Sequence, residues 1–411
     1  MIPSRSLADR LAAMRGERPP PLPPARSAAD DRAAGLARWL GADLHVADVG
    51  RVVLVERSIP LDPGTVAALS ELPHAAYVDT ETTGLSTGAG TVAFLVAIGT
   101  LDGGCLRVRQ LLLPDYPDEA ALLRVVMSDL GRVERLVSYN GRTYDLPLLV
   151  ARLTVHGLFS AMSGMPARHD DLLPVSRRLF RRPLGSARLA DVERGVLGIH
   201  RVADLPGSEV PGRWFGYLRG GSPDLLADVL DHNLQDVASL ALLEAEIIRL
   251  RRGAWREARV LDPRGMVAEL LREGTAADSL ELLAGALERS VDREEDAALR
   301  RLATRLLVSA GEVERAEAIW HEATRRASVH AAGAWIEVAR IRERHRGDLR
   351  GALEATAAAS RVLDMSFALG RGGSIAEIGR TRMLVDGRLR RLRRWVAARE
   401  RRAARSNSPA A

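Results

Sequence analysis

The sequence predicts an α/β domain with a mixed sheet flanked by helices, followed by an all-α domain of repeated helices. Three observations lead to this expectation. Short apolar runs typical of buried strands alternate with helical segments up to about residue 255. One of these runs ends in two acidic residues separated by a single position, Asp79 and Glu81. Beyond Asp262-Pro263 the composition turns to alanine, leucine, arginine and glutamate with helical periodicity throughout.

The length, composition and charge of the chain indicate a globular protein of more than one domain. The 411 residues suffice for two to three domains, and a hydrophobic fraction of 46% indicates a globular chain. The formal net charge is +6, and because the sequence contains no lysine, all the basic charge is arginine. The first explanation for the use of arginine alone is a GC-rich coding bias. The second is phosphate recognition, because the guanidinium group suits phosphate groups. The basic balance is compatible with nucleic-acid binding but does not establish it.

Cysteine content and hydropathy indicate the compartment. The single cysteine, Cys105, excludes an intramolecular disulfide and a thiolate zinc cluster, and it fits a reducing cytoplasm. No segment approaches the roughly 20 apolar residues of a membrane span. We therefore expect a soluble, cytoplasmic protein with no membrane partner.

The first 35 residues are predicted to be a disordered tail, because the run Pro19–Pro24 (PPPLPP) is extended and cannot join a core. A domain over residues 36–255 follows. It begins with a small β extension at 44–60, where Val52–Val55 is flanked by Gly50 and Pro60.

The first domain should contain three strands, a helix, a strand and a helix in that order. The predicted segments are a strand through Tyr77-Val78, a hairpin of 91–100 and 105–113 around Asp102-Gly103-Gly104, a helix over 117–130, a strand over 135–139 and a helix over 146–156. This is the order of a ribonuclease-H-like α/β fold.

The acidic pair at the end of the first strand is the first candidate site. Side chains alternate along a strand, so Asp79 and Glu81 point to the same face. At about 4 Å and an effective dielectric of about 20, their repulsion is on the order of 4 kcal/mol unless a cation lies between them. The small residues Thr82-Thr83-Gly84 let a substrate approach the backbone closely. The alternative is a solvated, idle pair.

Two further motifs carry acidic residues at the ends or on the faces of helices. In the stretch 139–145 (YNGRTYD), Asp145 opens a helix whose N-terminal dipole favours its charge. On a helix predicted over 225–252, His232 and Asp236 are one turn apart and share a face. Taken alone, Asp145 reads equally as an ordinary helix cap, and His232 with Asp236 as a surface pair.

An arginine-rich connector lies between these motifs. It runs from Arg177 to Arg219 and is interleaved with Phe180, Trp214, Phe215 and Tyr217. Such a segment could track a phosphate backbone and stack bases. A solvated connector packed against helices is the alternative.

Residues 262–400 are predicted to form a helical domain with an internal repeat. Four small residues recur after 36 positions: Ala303, Gly311, Ala316 and Ala323 return as Ala339, Gly347, Ala352 and Ala359. Small residues at fixed spacing let paired helices pack closely, and a period of about 34 is that of tetratricopeptide helix pairs. A very basic helix follows from Arg380, and residues 401–411 are predicted to be a disordered tail.

Together, the order and placement of the three acidic motifs resemble the DEDD (DnaQ-like) 3′-5′ exonucleases. The wording of the first motif (DTETTGL) is similar to the YprB-type ribonuclease-H-like proteins, which also carry a His-Asn-x-x-Asp helix and a C-terminal repeat region. The resemblance covers roughly residues 45–250, and more loosely the C-terminal helices.

The resemblance implies a ligand set and a reaction. The metal ligands would be Asp79, Glu81, Asp145 and Asp236, which would hold two Mg²⁺ or Mn²⁺ ions about 3.5–4 Å apart. His232 falls where the family places its general base, but at the four-residue spacing at which a subgroup of the superfamily has tyrosine. The histidine subgroup uses five residues, so the spacing departs from its pattern.

The resemblance also implies contacts with substrate. Thr82 and Leu85 would contact the terminal nucleotide, and Asn140 would support the site. Asp170-Asp171-Leu172 matches a further family stretch, which we interpret as a structural cap of the following helix.

The expected function is therefore a metal-dependent 3′-5′ exonuclease acting on the 3′ end of DNA or RNA by a two-metal mechanism. The alternative is a nucleic-acid-binding or scaffold protein on this fold, with the helical repeats recruiting a protein partner. A structure-specific endonuclease using the same two metals is a more remote alternative.

Overall fold

The computed structural model describes residues 25–84, 90–201, 205–290, 292–325, 329–370 and 374–406. The chain divides into two compact units, Met1–Gly253 and Ala254–Ala411. No helix in the described ranges is long and apolar enough to cross a membrane.

The first unit is built on one seven-stranded mixed sheet. Its strands are β1 (Asp43–Ala47), β2 (Gly50–Pro60), β3 (Ala75–Thr82), β4 (Ala93–Asp102), β5 (Cys105–Leu112), β6 (Arg135–Ser138) and β7 (Arg168–Asp171). Across the sheet the order is β1-β2-β5-β4-β3-β6-β7, with β3, β6 and β7 parallel and the other neighbours antiparallel. The predicted mixed sheet flanked by helices is confirmed.

Helices cover both faces of this sheet. They are α1 (Ala25–Leu40), α2 (Pro63–Ser70), α3 (Glu119–Leu130), α4 (Asp145–Val155), α5 (Leu172–Leu179), α6 (Arg181–Leu184), α7 (Leu189–Val192), α8 (Val210–Leu218) and α9 (Ala227–Arg251). Short 3₁₀ or π turns lie at Tyr116–Asp118, Phe159–Gly164, Glu193–Leu197 and Pro223–Leu226. Because both faces are covered, β4 is buried over its first seven residues, as its unbroken apolar run predicts.

Helix α9 packs closely on the middle of the sheet, and one glycine makes this approach feasible. A Cβ placed at Gly99 of β4 would lie 2.6 Å from Cγ1 of Val237 on α9, well inside van der Waals contact. The bare backbone at position 99 therefore lets α9 lie directly against β4. This brings the residues of α9 within side-chain reach of β3.

The N-terminal segment differs from its prediction. Helix α1 begins inside the segment predicted as a tail, and Ala33 and Leu36 are buried. Arg32 on α1 donates from Nη1 to Oδ2 of Asp115 at 2.6 Å. Ala33, Leu36 and Ala37 give α1 an apolar side that is buried, so the folded part of the chain begins before residue 36. Residues 1–24 lie outside the described ranges.

The second unit is helical. Its helices are α10 (Pro263–Arg272), α11 (Ala276–Arg289), α12 (Arg293–Ser309), α13 (Val313–Ala323), α14 (Val329–His345), α15 (Leu349–Ala368) and α16 (Ile375–Ser406). Helices that follow one another along the chain contact each other, and the repeated Gly311 and Gly347 lie at the turns α12–α13 and α14–α15.

The repeated small residues lie where helices pack. Ala303, Ala316, Ala339, Ala352 and Ala359 are all buried. Their small side chains let neighbouring helices approach closely, as the 36-residue recurrence predicts. A helical C-terminal region is therefore confirmed, whereas its tetratricopeptide-like character stays a prediction.

Candidate active site

The acidic pair lies at the end of β3, beyond the part of the strand that pairs with β6. Pairing with β6 extends from Ala75 to Tyr77, so the strand end carrying Asp79 and Glu81 continues past it. Both carboxylates are partly exposed, whereas Thr80 between them is buried. The alternation expected of a strand is thus present, and the two acids share one face.

Helix α9 orients the first of these carboxylates through a fully buried amide. Nδ2 of Asn233 donates to Oδ2 of Asp79 at 2.8 Å. Gln110 on β5 donates from Nε2 to Oδ1 of Asn233 at 3.2 Å and to the Leu230 carbonyl at 2.7 Å. The amide is therefore held from both sides, and it fixes the rotamer of Asp79.

The third carboxylate, Asp145, is buried at the first residue of α4. It accepts a short hydrogen bond from Oγ1 of Thr80, the residue between the acidic pair. A Cβ at Gly141 would lie 2.3 Å from Oγ of Ser138 and 3.1 Å from Oδ2 of Asp145. A glycine in the loop is thus needed for Asp145 to approach β3.

The fourth carboxylate, Asp236 on α9, completes a cluster whose members repel one another. Burial, followed by the charges of Asp236, Glu81 and Asp145, holds the pKa of Asp79 well above its usual range. Burial and the charges of Asp236 and Asp145 raise the pKa of Glu81 to about 8. These four residues come from three distant parts of the chain and act on one another electrostatically.

The other two members have raised pKa values as well. Burial raises the pKa of Asp145 to about 6, although the hydrogen bond from Thr80 opposes this. Burial also raises the pKa of Asp236, against the lowering effect of Arg201 and His232. The cluster is therefore short of positive charge at neutral pH.

His232 lies at the rim of this cluster, as its position on α9 predicts. Its Nε2 is 3.8 Å from Oε1 of Glu81 and 3.8 Å from Oδ2 of Asp236. Both distances exceed that of a hydrogen bond but leave room for a bridging water. The histidine can therefore exchange a proton with a group bound between these carboxylates.

Arg201 enters the site from the connector and was not predicted from the sequence. Its guanidinium donates to Oδ1 of Asp236 in a short hydrogen bond. The distance between Nη1 of Arg201 and Nδ1 of His232 is 3.3 Å. Two further bonds, of 2.6 and 2.7 Å, join it to the fully buried Glu193. Arg201 thus supplies one positive charge beside the fourth carboxylate.

The donor chemistry of the cluster suits divalent cations. Carboxylate oxygens are the ligands that Mg²⁺ and Mn²⁺ prefer, and like charges gathered in a partly buried site favour a cation. Within the described residues, however, no group of three or more His, Cys, Asp or Glu side chains is arranged to hold a metal ion. Asp236 is engaged by Arg201, Asp145 by Thr80 and Asp79 by Asn233. The residue types fit a metal, and their side chains would have to turn to bind one.

The residues expected to contact substrate have diverse environments. Oγ1 of Thr82 donates to the Gly84 carbonyl at 2.7 Å, as does the hydroxyl of Tyr144 at 2.6 Å, so both hold the turn after β3. Asn140 is exposed with a φ of 69°, and its Oδ1 accepts from Oγ1 of Thr143 at 2.6 Å. Leu85 lies outside the described residues.

Asp171 has the structural role predicted for it. Its Oδ1 accepts from the backbone N of Leu173 at 3.0 Å and so caps α5. The same oxygen accepts from the backbone N of Asn140 at 2.8 Å. Asp171 therefore also ties down the loop that precedes Asp145.

The interpretation that aromatic residues of the connector stack nucleic-acid bases is wrong for three of them. Phe180, Trp214 and Tyr217 are buried, and Trp214 stacks on Phe94 with ring centroids 5.0 Å apart. Trp214 and Tyr217 belong to the main core, which also contains Phe94. The alternative interpretation, a connector packed against the fold, holds here.

Comparison with known proteins supports the assignment of the sheet domain. A family model described as RNase_H superfamily matches residues 76–248. The uncharacterized protein YprB of Bacillus subtilis (strain 168) is 38% identical over 168 residues, which are 41% of this chain and 40% of YprB. The match thus spans two-fifths of that relative's length. A family B DNA polymerase from the archaeon Pyrobaculum calidifontis aligns over 61% of this chain and 35% of its own, at 16% identity and a TM-score of 0.35.

Proposed function

We propose that the protein is a metal-dependent 3′-5′ exonuclease that hydrolyses phosphodiester bonds of DNA or RNA, and the match of residues 76–248 to the RNase_H superfamily model supports this. Its metal ligands would be Asp79, Glu81, Asp145 and Asp236. The observation that carries the proposal is the gathering of these four carboxylates at one end of the sheet, where each acquires a raised pKa.

Isolated structural acids do not behave in this way. A buried carboxylate that only stabilises a fold is paired with a cation or accepts from backbone N–H groups, as buried Glu119 pairs with Arg152. Burial raises the pKa of all four acids, and the charges of the other acids raise it further at Asp79 and Glu81; such a cluster weakens the fold, which is typical of sites shaped for function.

The chain's own residues have distinct tasks in this reaction. When bound, Mg²⁺ or Mn²⁺ ions would neutralise charge on the scissile phosphate and lower the pKa of water. Asn233 donates to Oδ2 of Asp79 and would orient this carboxylate in the site. His232, with Nε2 facing Glu81 and Asp236, would accept the proton of the attacking water after Nη1 of Arg201 releases Nδ1, because an Nδ1 that accepts from arginine leaves the imidazole proton on Nε2. Thr82 and Tyr144 would support the turn against which the terminal nucleotide binds.

One observation favours the alternative of a nucleic-acid-binding or scaffold protein. Arg201 neutralises Asp236 from within the chain, so the fourth carboxylate already has a cation. A protein that binds nucleic acid without cleaving it would not need to release Asp236. Metal binding separates the two functions.

The test is hydrolysis of 3′- and 5′-end-labelled DNA and RNA oligonucleotides with Mn²⁺, together with Mn²⁺ titration by calorimetry. Asp79→Asn and Asp236→Asn should each abolish hydrolysis and weaken Mn²⁺ binding while the far-ultraviolet circular dichroism is unchanged. The matched control is Asp231→Asn, the same change at an exposed position of α9. A folded Asp79→Asn variant with normal activity would refute the two-metal reaction.

The binding of Mn²⁺ should also depend on pH in a defined direction. Protons compete with the metal for the carboxylates, and the pKa of Glu81 is about 8 in the metal-free protein. Affinity should therefore rise as the pH increases from 6 to about 8 and then level off. The Asp231→Asn control should show the same profile.

A further inference from the structure

The last helix, α16, is unusually basic for its length. Over Ile375–Ser406 it contains eleven arginines and three acidic residues. Its buried side consists of apolar residues, among them Val385, Leu389 and Leu392. The arginines are divided between those that tie α16 to its own unit and those that face solvent.

The first set is fixed by partners on neighbouring helices or turns. Arg388 and Arg391 both pair with Glu343 of α14, and Arg382 pairs with Asp364 of α15. These contacts, with the apolar side, hold α16 in place and so fix the direction in which its opposite side faces.

The second set forms a row. Arg390, Arg394 and Arg401, here called the arginine stripe, are exposed and lie within about 40° of one another at 3.6 residues per turn. Exposed Arg393 and Arg402 flank the stripe. Within the described part of the chain, none of these five arginines forms an ion pair.

An exposed aromatic ring lies on the side of α16 next to the stripe, about 100° around the helix from Arg394. Trp395 is 47% exposed, and the guanidinium carbon of Arg391 lies 5.1 Å from the ring centroid. An exposed tryptophan among arginines offers a stacking face beside the positive charges. From 390 to 402 the helix rises roughly 18 Å, at about 1.5 Å per residue.

We propose that the arginine stripe and Trp395 form a binding surface for the sugar-phosphate backbone of nucleic acid. Arginines without acidic partners are complementary to the repeated phosphates of a nucleic-acid strand, and the three arginines of the stripe offer a row of positive charge roughly 17 Å long, at about 1.5 Å per residue. This surface lies outside the carboxylate cluster, and it holds whether or not the protein is a nuclease.

The test measures binding without cleavage. Fluorescence anisotropy of a labelled 30-nucleotide single strand of mixed sequence is recorded in EDTA from 50 to 200 mM NaCl. The triple variant Arg390→Gln/Arg394→Gln/Arg401→Gln should bind about tenfold more weakly at 50 mM, and the slope of log K against log salt should fall by about 2, at about 0.7 per lost phosphate contact.

Two controls make the result specific. Arg305→Gln/Arg344→Gln/Arg361→Gln removes the same charge from exposed positions of α12, α14 and α15 and should keep the wild-type slope. Arg390→Lys/Arg394→Lys/Arg401→Lys retains the charge and should keep most of the affinity. Trp395→Ala should lower the affinity without changing the slope, since stacking releases no counterions.

The proposal is overturned if the stripe variant and the matched control lose affinity equally, or if neither does. It is also overturned if the wild-type chain binds vesicles of phosphatidylserine and phosphatidylcholine through the stripe but does not bind the oligonucleotide. Because EDTA removes catalysis, failure of the carboxylate site leaves this measurement unaffected, and failure here leaves the hydrolysis assay unaffected.

Discussion

His232 is the residue whose position gives the sharpest chemical expectation. Its Nε2 is 3.8 Å from carboxylate oxygens of both Glu81 and Asp236, which leaves space for a water molecule. If the imidazole accepts the proton of the attacking water, His232→Ala should reduce kcat by roughly 10²–10⁴-fold. Mn²⁺ affinity should change little. A variant that keeps its rate would leave His232 as a hydrogen-bonding partner only.

Replacement of Arg201 is expected to increase the affinity for Mn²⁺. Arg201 pairs with Asp236 and is anchored by buried Glu193. A divalent ion that binds Asp236 must compete with this guanidinium, so Arg201→Gln should tighten Mn²⁺ binding about tenfold, the equivalent of about 1.4 kcal/mol. Calorimetric titration measures this in the absence of substrate.

A control variant is needed because Arg201→Gln also removes the cation that pairs with Glu193. Arg201→Gln leaves Glu193 buried without its cation, which destabilises the fold. The double variant Arg201→Gln/Glu193→Gln removes both charges and should retain the tighter binding with recovered stability. Weaker Mn²⁺ binding in both variants would mean that Arg201 orients Asp236 for the metal and does not compete with it.

At the scale of residues, sequence patterns predicted the acidic residues of the cluster but not the residues that bind them. The period of a strand placed Asp79 and Glu81 on one face, and the period of a helix did the same for His232 and Asp236. The contacts of Arg201 and Asn233 depend on how distant segments approach in space. For Asn233 a signal existed, because it lies between His232 and Asp236 on the helix that faces β3.

At the scale of elements, a buried network sets α9 against the sheet. Arg135 of β6 donates to both oxygens of Glu244 on α9 at 2.6 and 2.9 Å. Tyr77 of β3 donates to the same carboxylate at 2.7 Å. Since Tyr77 lies two residues before Asp79, this network fixes the position of α9 next to the acidic pair.

Breaking this network from one side should be costly. Arg135→Met leaves the Glu244 charge buried, so the free energy of unfolding should fall by about 3–5 kcal/mol. Urea denaturation at pH 7 measures the loss. The comparison is Arg252→Met, which removes an exposed pair with Glu71 and should cost at most about 1 kcal/mol. Equal losses in the two variants would contradict a structural role for the buried network.

The elements of the sheet domain were predicted well where strands are buried and less well at its edges. The runs that became β3, β4, β5 and β6 are apolar and bounded by turn residues, so their period is unambiguous. Helix α1 was missed because its burial depends on the sheet already being in place.

At the scale of the whole molecule, the two units are expected to fold independently. The buried apolar residues of the main core of the first unit lie between positions 36 and 230. In the second unit, one apolar cluster lies between positions 307 and 355 and another between 332 and 389. The composition also changes after Asp262-Pro263.

A chain that ends at Gly253 should therefore remain soluble and unfold in a single cooperative urea transition. It retains all four carboxylates, Asn233, His232 and Arg201, as well as the Arg252–Glu71 pair near the end of α9. Its Mn²⁺ affinity should equal that of the full chain, because every residue that touches the cluster lies before 253. Nucleic-acid affinity should fall, since the arginine stripe is removed. An insoluble or molten product would show that the units share a core, because the apolar residues of α9 would then lack their cover.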